Sequence, residues 1–230
     1  MIPQHSPIPL VLDLDGTLID SVPQVHWAMN EVLSMEGMDL LSLGDVKASV
    51  GDGVRVMFEK AISNQGFIRE DELDRLIQKY LATYLDDPIA KTVVYEGVEE
   101  TLEELCRAGA KMGICTNKPS QTTRSVLSGT RLIKFFDAVV TADDTKCPKP
   151  SGQHVLDTLD AMESPKRAAV MVGDSENDIE AGRAAGVRTV AVTYGYCQIP
   201  VADLRADALI DRFNALPKTL WAMKGGNGPK

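Results

Sequence analysis

The sequence of 230 residues predicts an α/β fold in which helices cover both faces of a parallel sheet. From about residue 98 onward, short apolar runs alternate with helical stretches, as in strands joined by crossover helices. The stretch from about residue 20 to 90 shows helical patterns only. We therefore predict a single sheet whose first strand is followed by an inserted helical domain.

The first part of the chain supplies one strand and the inserted domain. An apolar run at residues 8–14 ends in two acids and a glycine, which predicts a buried strand opening into a loop. Helical patterns follow at residues 22–34, 43–50, 54–63 and 70–85. We assign residues 21–90 to this unit and call it the helical insertion.

The second part of the chain completes the sheet. Helices are predicted at residues 98–108, 122–127, 152–162 and 176–185, and strands at 111–116, 138–141, 168–172, 187–192 and 208–210. Residues 1–20 and 91–223 then form the sheet domain. Residues 224–230 are polar and glycine-rich, and we expect a flexible tail there.

The charge and the cysteine pattern of the sequence argue against several classes of function. The net charge of −9 and the pI near 4.9 argue against nonspecific nucleic-acid binding, which needs a basic surface. The four cysteines contain no Cys-x-x-Cys pair, so zinc and redox motifs have no support. The N-terminus lacks the features of a signal peptide, and no run approaches the ~20 apolar residues of a membrane span. We expect a cytoplasmic protein that binds neither nucleic acid nor membrane.

Polar residues follow four of the predicted strands. They are Asp13 and Asp15, Thr116 and Asn117, the stretch up to Lys149, and Asp174 with Asp178. Because ligands of open parallel sheets bind beyond the carboxyl ends of the strands, these groups should meet at one edge. Their convergence is the main argument for a site.

Taken alone, each group has an ordinary structural explanation. Asp13, Asp15 and Asp174 could serve as turn or helix-cap residues. Thr116 and Asn117 could form a plain turn, and Lys149 could be a solvated lysine. Against this, a buried carboxylate is costly unless it is paired or holds a metal, and carboxylates crowded together need a cation. Oxygen ligands alone favour Mg²⁺.

Four motifs occur in a fixed order, and together they resemble one known group of proteins. The motifs are Asp13-Leu14-Asp15-Gly16-Thr17, Thr116-Asn117-Lys118-Pro119, Lys149-Pro150 and Gly173-Asp174-Ser175-Glu176-Asn177-Asp178. They resemble the haloacid dehalogenase superfamily and, within it, the bacterial phosphoglycolate phosphatases. The resemblance implies a Rossmann-like, doubly wound core with a helical cap inserted after the first strand.

The resemblance also implies a reaction. Asp13 would attack phosphorus and form an aspartyl-phosphate, while Asp15 would protonate the leaving alkoxide and then activate water. Thr116, Asn117 and Lys149 would hold the phosphoryl oxygens, with Lys118 and Lys146 as competitors for the role of Lys149. The acid at position 15 favours phosphate chemistry over dehalogenation.

The same resemblance implies a Mg²⁺ site. Asp13, the backbone carbonyl of Asp15 and Asp174 would be its ligands, and Asp178 would support them. We expect a small phosphate ester as the binding partner and a monomer or homodimer as the assembly.

The sequence features that indicate the substrate are weaker than those that indicate the reaction. Residues 50–54 and 192–196 resemble segments of the phosphoglycolate phosphatases, which implies hydrolysis of 2-phosphoglycolate to glycolate and phosphate. A carboxylate on the substrate should need a cationic partner in the protein. Arg55 is the first candidate for this role, and Lys47 is the second. Arg55 could equally be an exposed helix residue. Other phosphate esters, pyrophosphate, a mutase activity or a non-enzymatic binding role stay open at this stage.

Overall fold

The computed structural model describes residues 8–66 and 69–225, without the side chains of residues 224 and 225. The strands are β1 (Leu10–Leu12), β2 (Ile19–Asp20), β3 (Val93–Val94), β4 (Met112–Cys115), β5 (Ala138–Val140), β6 (Val170–Gly173), β7 (Arg188–Val192) and β8 (Ala208–Ile210). The helices are α1 (Val22–Met35), α2 (Leu43–Ser49), α3 (Val54–Ala61), α4 (Glu70–Asp86), α5 (Val98–Arg107), α6 (Ser120–Gly129), α7 (Gly152–Ala161), α8 (Glu176–Ala185) and α9 (Leu216–Gly225).

Six strands form a parallel sheet in the order β5-β4-β1-β6-β7-β8, which confirms the predicted α/β fold. The first strand is central, and all three of its side chains are fully buried. Leu10 and Leu12 face the larger hydrophobic core, whereas Val11 faces the smaller core under α7 and α8. Helices therefore cover both faces of the sheet, and the loop after β1 emerges at the middle of its carboxyl edge.

The helical insertion lies between β2 and β3, which pair as a short antiparallel ribbon. Within it α1 packs against α2 and α4, and α3 packs against the same two helices. Phe58, Tyr80 and Tyr84 form its aromatic centre, with the rings of Phe58 and Tyr80 5.2 Å apart in an edge-to-face arrangement. The position of these helices agrees with an insertion after β1, and the assignment of residues 21–90 to a separate domain stays a prediction.

Two tyrosines from the loop after β7 hold the ribbon against the sheet domain. The Tyr196 hydroxyl accepts a hydrogen bond from the backbone N–H of Ser21 at 2.8 Å. The Tyr194 hydroxyl donates to the carbonyl of Thr17 at 2.9 Å, and its ring packs 4.6 Å from that of Tyr95. The two crossings between the sheet domain and the helical insertion are thus fixed by the same loop.

The helix α9 is the one long element that the sequence analysis did not predict. Pro217 stands at its second position, where the missing N–H and the fixed φ are compatible with a helix. Leu216 and Leu220 are buried against the core. Residues 224 and 225, which were predicted to belong to a flexible tail, are part of α9, and the rest of the predicted tail, residues 226–230, lies outside the described part of the chain.

In the described ranges, no helix has the length and apolar character needed to cross a membrane.

The central position of β1 leads to a stability prediction. Leu12→Ala removes a fully buried side chain from the main core and should lower the free energy of unfolding by about 2–5 kcal/mol, measured by urea denaturation. Leu209→Ala is the matched control, because that leucine lies on the edge strand β8 and is 45% exposed. It should change stability by less than about 1 kcal/mol. Equal losses in the two variants would contradict the assignment of β1 to the centre of the core.

Candidate active site

The loops after β1, β4, β5 and β6 meet at one edge of the sheet and line a cleft of about 360 Å³. This edge supplies Asp13, Asp15, Thr116, Asn117, Lys149 and Asp174, all from the predicted motifs. The helical insertion covers the cleft with residues 50–54 and with Tyr80. A volume of this size suits a small molecule.

Lys149 joins two of the carboxylates. Its ammonium donates to Asp13 Oδ1 and to Asp178 Oδ1, both at 2.6 Å. All three side chains are less than a tenth exposed. An ammonium has three N–H donors, so one remains for a ligand. Among the described residues, no donor contacts Asp13 Oδ2, and Asp13 lines the cleft.

Asp174 and Asp178 have different surroundings. Asp174 Oδ1 accepts a hydrogen bond from Thr17 at 3.3 Å, and Oδ2 accepts one from the backbone of Tyr196 at 2.6 Å. Asp178 Oδ2 accepts from the backbone N–H groups of Asp174 and Ser175 at 3.1 and 3.0 Å. The N-cap of α8 is Ser175, so Asp174 is not the helix cap that its position after Gly173 suggested.

Gly16 allows the first loop to approach Asp174. Its φ is +87°, in the left-handed region, and a β-carbon at this position would collide with the carboxylate of Asp174. A side chain at residue 16 would therefore displace one wall of the carboxylate cluster. This explains the Gly in the Asp13–Thr17 motif.

The donor set fits a divalent cation. Asp13, Asp174 and Asp178 each offer a carboxylate oxygen, and these three atoms lie within 4.8 Å of one another. Burial, opposed by Lys149, raises the pKa of Asp13 to about 7. Burial and the charges of Asp178 and Asp13 raise the pKa of Asp174 well above its usual value. The positive charge of Lys149 therefore does not fully compensate the negative charges of these two carboxylates.

The charges around the cluster point the same way, leaving aside the Asp52–Lys60 ion pair and Glu176, which also line the cleft. Asp15, with the three carboxylates of the cluster, makes four, against the ammonium groups of Lys149 and Lys118. If all are ionised, two negative charges remain, which one divalent cation would balance.

Asp15 lies outside the three-carboxylate cluster. Both of its carboxylate oxygens are 3.2 Å from the Lys118 ammonium, and Oδ1 also accepts a hydrogen bond from the Ser21 hydroxyl at 2.5 Å. The two acids of the first motif therefore have separate cations: Lys149 for Asp13 and Lys118 for Asp15. Lys146 is exposed and lines no part of the cleft.

The Thr116 hydroxyl is available for a ligand, whereas the side chain of Asn117 is not. Thr116 Oγ1 accepts from the backbone N–H of Lys118 at 3.2 Å, which leaves its own hydrogen free. The Asn117 amide exchanges hydrogen bonds with the backbone of Lys149 at 2.9 and 3.0 Å and donates to the Gly51 carbonyl at 3.1 Å. Its backbone N–H makes no hydrogen bond to any described residue and is the group that could bind an oxyanion.

Arg55 does not reach the cleft. Its guanidinium pairs with Asp74 of α4, and both side chains are about half exposed. Arg55 does not line the cleft, and neither does Lys47, which is exposed beside the ring of Tyr196. The structure therefore does not bring either candidate for carboxylate binding to the site. The reason is the orientation of α3, which directs Val54 and Met57 toward the cleft and Arg55 away from it.

His154 is a site residue that sequence reasoning missed. Its Nδ1 accepts from the backbone N–H of Lys149 at 3.2 Å, so Nε2 donates to the carbonyl of Val140 at 3.2 Å. Burial and the nearby Lys149 charge lower its pKa to about 4, which keeps the ring neutral. It holds the backbone of Lys149 in place. A single histidine in a helical pattern carries no signal of this contact.

The chain is similar to known proteins over most of its length. The sequence profile of the haloacid dehalogenase-like hydrolase family matches residues 10–192, from the start of β1 to the end of β7. The chain belongs to this family. Its relatives include a phosphoglycolate phosphatase of Caulobacter vibrioides, 37% identical over 210 residues that cover 91% of this chain and 89% of that protein.

A second relative and a solved structure support the same assignment. The phosphoglycolate phosphatase of Agrobacterium fabrum is 32% identical over 212 residues, which cover 92% of this chain and 91% of that protein. The crystal structure of a predicted phosphoglycolate phosphatase from Haemophilus somnus 129pt superposes with a TM-score of 0.88 at 26% identity, covering 94% of this chain and 99% of that one. The predicted resemblance to this superfamily, and the hydrolase class that it implies, are confirmed.

The raised pKa of Asp13 leads to a prediction for the metal-free protein. The pKa is 3.8 in an unstructured chain and about 7 in the fold, so between these values the folded state holds a proton that the unfolded state has lost. The contribution of Asp13 to stability therefore falls as the pH rises from about 4 to 7. In EDTA, Asp13→Asn should raise Tm by roughly 5 °C at pH 8 and by less than about 2 °C at pH 5.

The matched control for this measurement is Asp160→Asn, at an exposed position on α7. Its effect on Tm should be small and the same at both pH values. A lower Tm for Asp13→Asn at pH 8 would mean that its ion pair with Lys149 outweighs the burial of its charge.

Proposed function

We propose that the protein is a Mg²⁺-dependent phosphatase that hydrolyses 2-phosphoglycolate to glycolate and phosphate through an aspartyl-phosphate on Asp13. One observation carries the proposal. Asp13 is a buried carboxylate that lines the cleft beside two further carboxylates. One of its oxygens is bound to Lys149, and the other accepts no hydrogen bond from the described residues. The curated relatives named phosphoglycolate phosphatase support the substrate.

Asp13 is the proposed nucleophile. Lys149 fixes Oδ1, which leaves Oδ2 to form the bond to phosphorus as the bond between phosphorus and the ester oxygen breaks. The remaining N–H of Lys149, the Thr116 hydroxyl and the backbone N–H of Asn117 would bind the phosphoryl oxygens. All three residues are buried, so their dipoles and charge act with little screening by water.

Asp15 is the proposed acid and base. Its carboxyl lies on the Lys118 side of the cleft, where it would give a proton to the departing alkoxide. The same group, now a carboxylate, would take a proton from the water that attacks the aspartyl-phosphate. Hydrolysis then releases inorganic phosphate and restores Asp13. Ser21 holds the carboxylate in place throughout.

Asp13, Asp174 and the backbone carbonyl of Asp15 are the proposed Mg²⁺ ligands. Asp178 would support them, because its two oxygens link Lys149 to the start of α8. Bound there, the ion would offset the repulsion between the carboxylates and the phosphate and would polarise the phosphoryl group. A cytoplasmic location, favoured by four free cysteines, is part of the proposal.

The test measures kcat/KM with Mg²⁺ for phosphoglycolate, pyrophosphate and several sugar phosphates. Phosphoglycolate should be the best substrate, and EDTA should abolish turnover. Asp13→Asn should lower kcat by at least about 10³-fold with an unchanged circular dichroism spectrum. The control is again Asp160→Asn, with normal rates. Turnover by Asp13→Asn at the wild-type rate would refute the covalent mechanism, and equal kcat/KM for all esters would refute the substrate.

The position of Arg55 leads to a second prediction. Because this side chain pairs with Asp74 outside the cleft, Arg55→Ala should change kcat/KM for phosphoglycolate by less than about threefold. Asp74→Ala removes the other half of the pair and should have an equally small effect. A rise in KM of tenfold or more for Arg55→Ala alone would show that Arg55 enters the cleft when substrate binds.

A further inference from the structure

We propose that Lys118 is the specificity residue of the cleft and that it binds a carboxylate carried by the alcohol half of the substrate. This inference rests on the proposed function, since it takes Asp15 as the group that protonates the leaving oxygen. Lys118 takes the role of carboxylate-binding cation for which Arg55 was the first candidate, because the side chain of Arg55 lies outside the cleft.

The cations available to a ligand are few. Among the described residues that line the cleft, the basic side chains are Lys60, Lys118 and Lys149. Lys149 is bound to Asp13 and Asp178 at the phosphoryl end. Lys60 pairs with Asp52 on the helical insertion and is half exposed, which weakens any ion pair it makes. Lys118 is the remaining buried cation, with 7% of its side chain exposed.

The contact between Lys118 and Asp15 brings this cation near the ester oxygen of the proposed reaction. The ammonium lies 3.2 Å from each Asp15 oxygen. An oxygen that is hydrogen-bonded to Asp15 therefore lies within about 6 Å of that ammonium. In phosphoglycolate a single carbon separates the ester oxygen from the carboxylate. In the proposed binding mode that carboxylate contacts Lys118 while the phosphoryl group lies against Asp13 Oδ2 and the remaining N–H of Lys149.

The surroundings of Lys118 favour an ionic ligand. Its ammonium lies 4.7 Å from the centre of the Tyr84 ring, and Tyr80 and Tyr84 are both buried. Such an apolar wall strengthens the attraction between opposite charges. Asp15 keeps its hydrogen bond from Ser21, so Lys118 can turn one N–H toward a ligand without leaving Asp15 unpaired.

The experiment compares two esters that differ only in the carboxylate: 2-phosphoglycolate and ethyl phosphate. In Lys118→Met the ratio of their kcat/KM values should fall by about 10²-fold, because the carboxylate loses its buried partner. Lys118→Arg should keep most of the wild-type ratio. Lys60→Met is the matched control, another lysine of the cleft, and should leave the ratio unchanged within about threefold.

A binding measurement separates recognition from the positioning of Asp15. The probes are 3-phosphonopropionate, a non-hydrolysable analogue of phosphoglycolate, and propylphosphonate, which lacks the carboxylate. With Mg²⁺ present, Lys118→Met should weaken binding of the first by at least about tenfold and leave the second within about threefold, by calorimetry. Equal effects on both phosphonates, or equal losses on both esters, would show that Lys118 only positions Asp15 and would overturn the proposal.

Wild-type kinetics distinguish this proposal from the one it rests on. If the wild-type protein hydrolyses neither ester with Mg²⁺, the proposed function fails. If it hydrolyses both with similar kcat/KM, phosphatase chemistry stands and carboxylate recognition by Lys118 is refuted.

Discussion

The ion contacts of Lys149 with Asp13 and Asp178 are the interaction on which the rest of the site depends. Four carboxylates meet at the edge of an apolar sheet, where each charge is expensive to bury. One ammonium in the middle contacts two of them and offsets the repulsion between them. The residues that position Lys149 are therefore as important as the lysine itself. Asn117 and His154 hold its backbone through hydrogen bonds, and neither side chain is free to contact a ligand.

The fold and the main motifs could be read from the sequence because they depend on local patterns. Strands buried on both faces are apolar throughout, and the carboxyl ends of parallel strands meet at one edge whatever the loops do between them. That reasoning placed Asp13, Thr116, Lys149 and Asp174 together. The helix α9 escaped because Pro217 breaks the pattern of a helix interior and yet is acceptable in a first turn.

The parts that could not be read depend on how elements are rotated and packed. Arg55 directly follows residues 50–54, which line the cleft, but each residue of a helix is rotated by about 100° from the one before it, and Arg55 lies outside the cleft. Lys118 and Lys149 both precede a proline, and only the packing of their loops shows which carboxylate each one serves. The contact between His154 and the Lys149 backbone likewise cannot be recognised from a single sequence.

The loop at residues 51 and 52 is attached to the sheet domain by contacts of another kind than the ion pairs of the site. Residues 51 and 52 are joined to the sheet domain by amide hydrogen bonds from Asn117 and Asn177. The ion pairs of Lys149 and Lys118 with the acids lie wholly within the sheet domain. A movement that lifts this loop to admit a ligand breaks a few amide contacts and separates none of those ion pairs. Opening of the cleft at this loop would therefore leave the carboxylate–ammonium arrangement of the site intact.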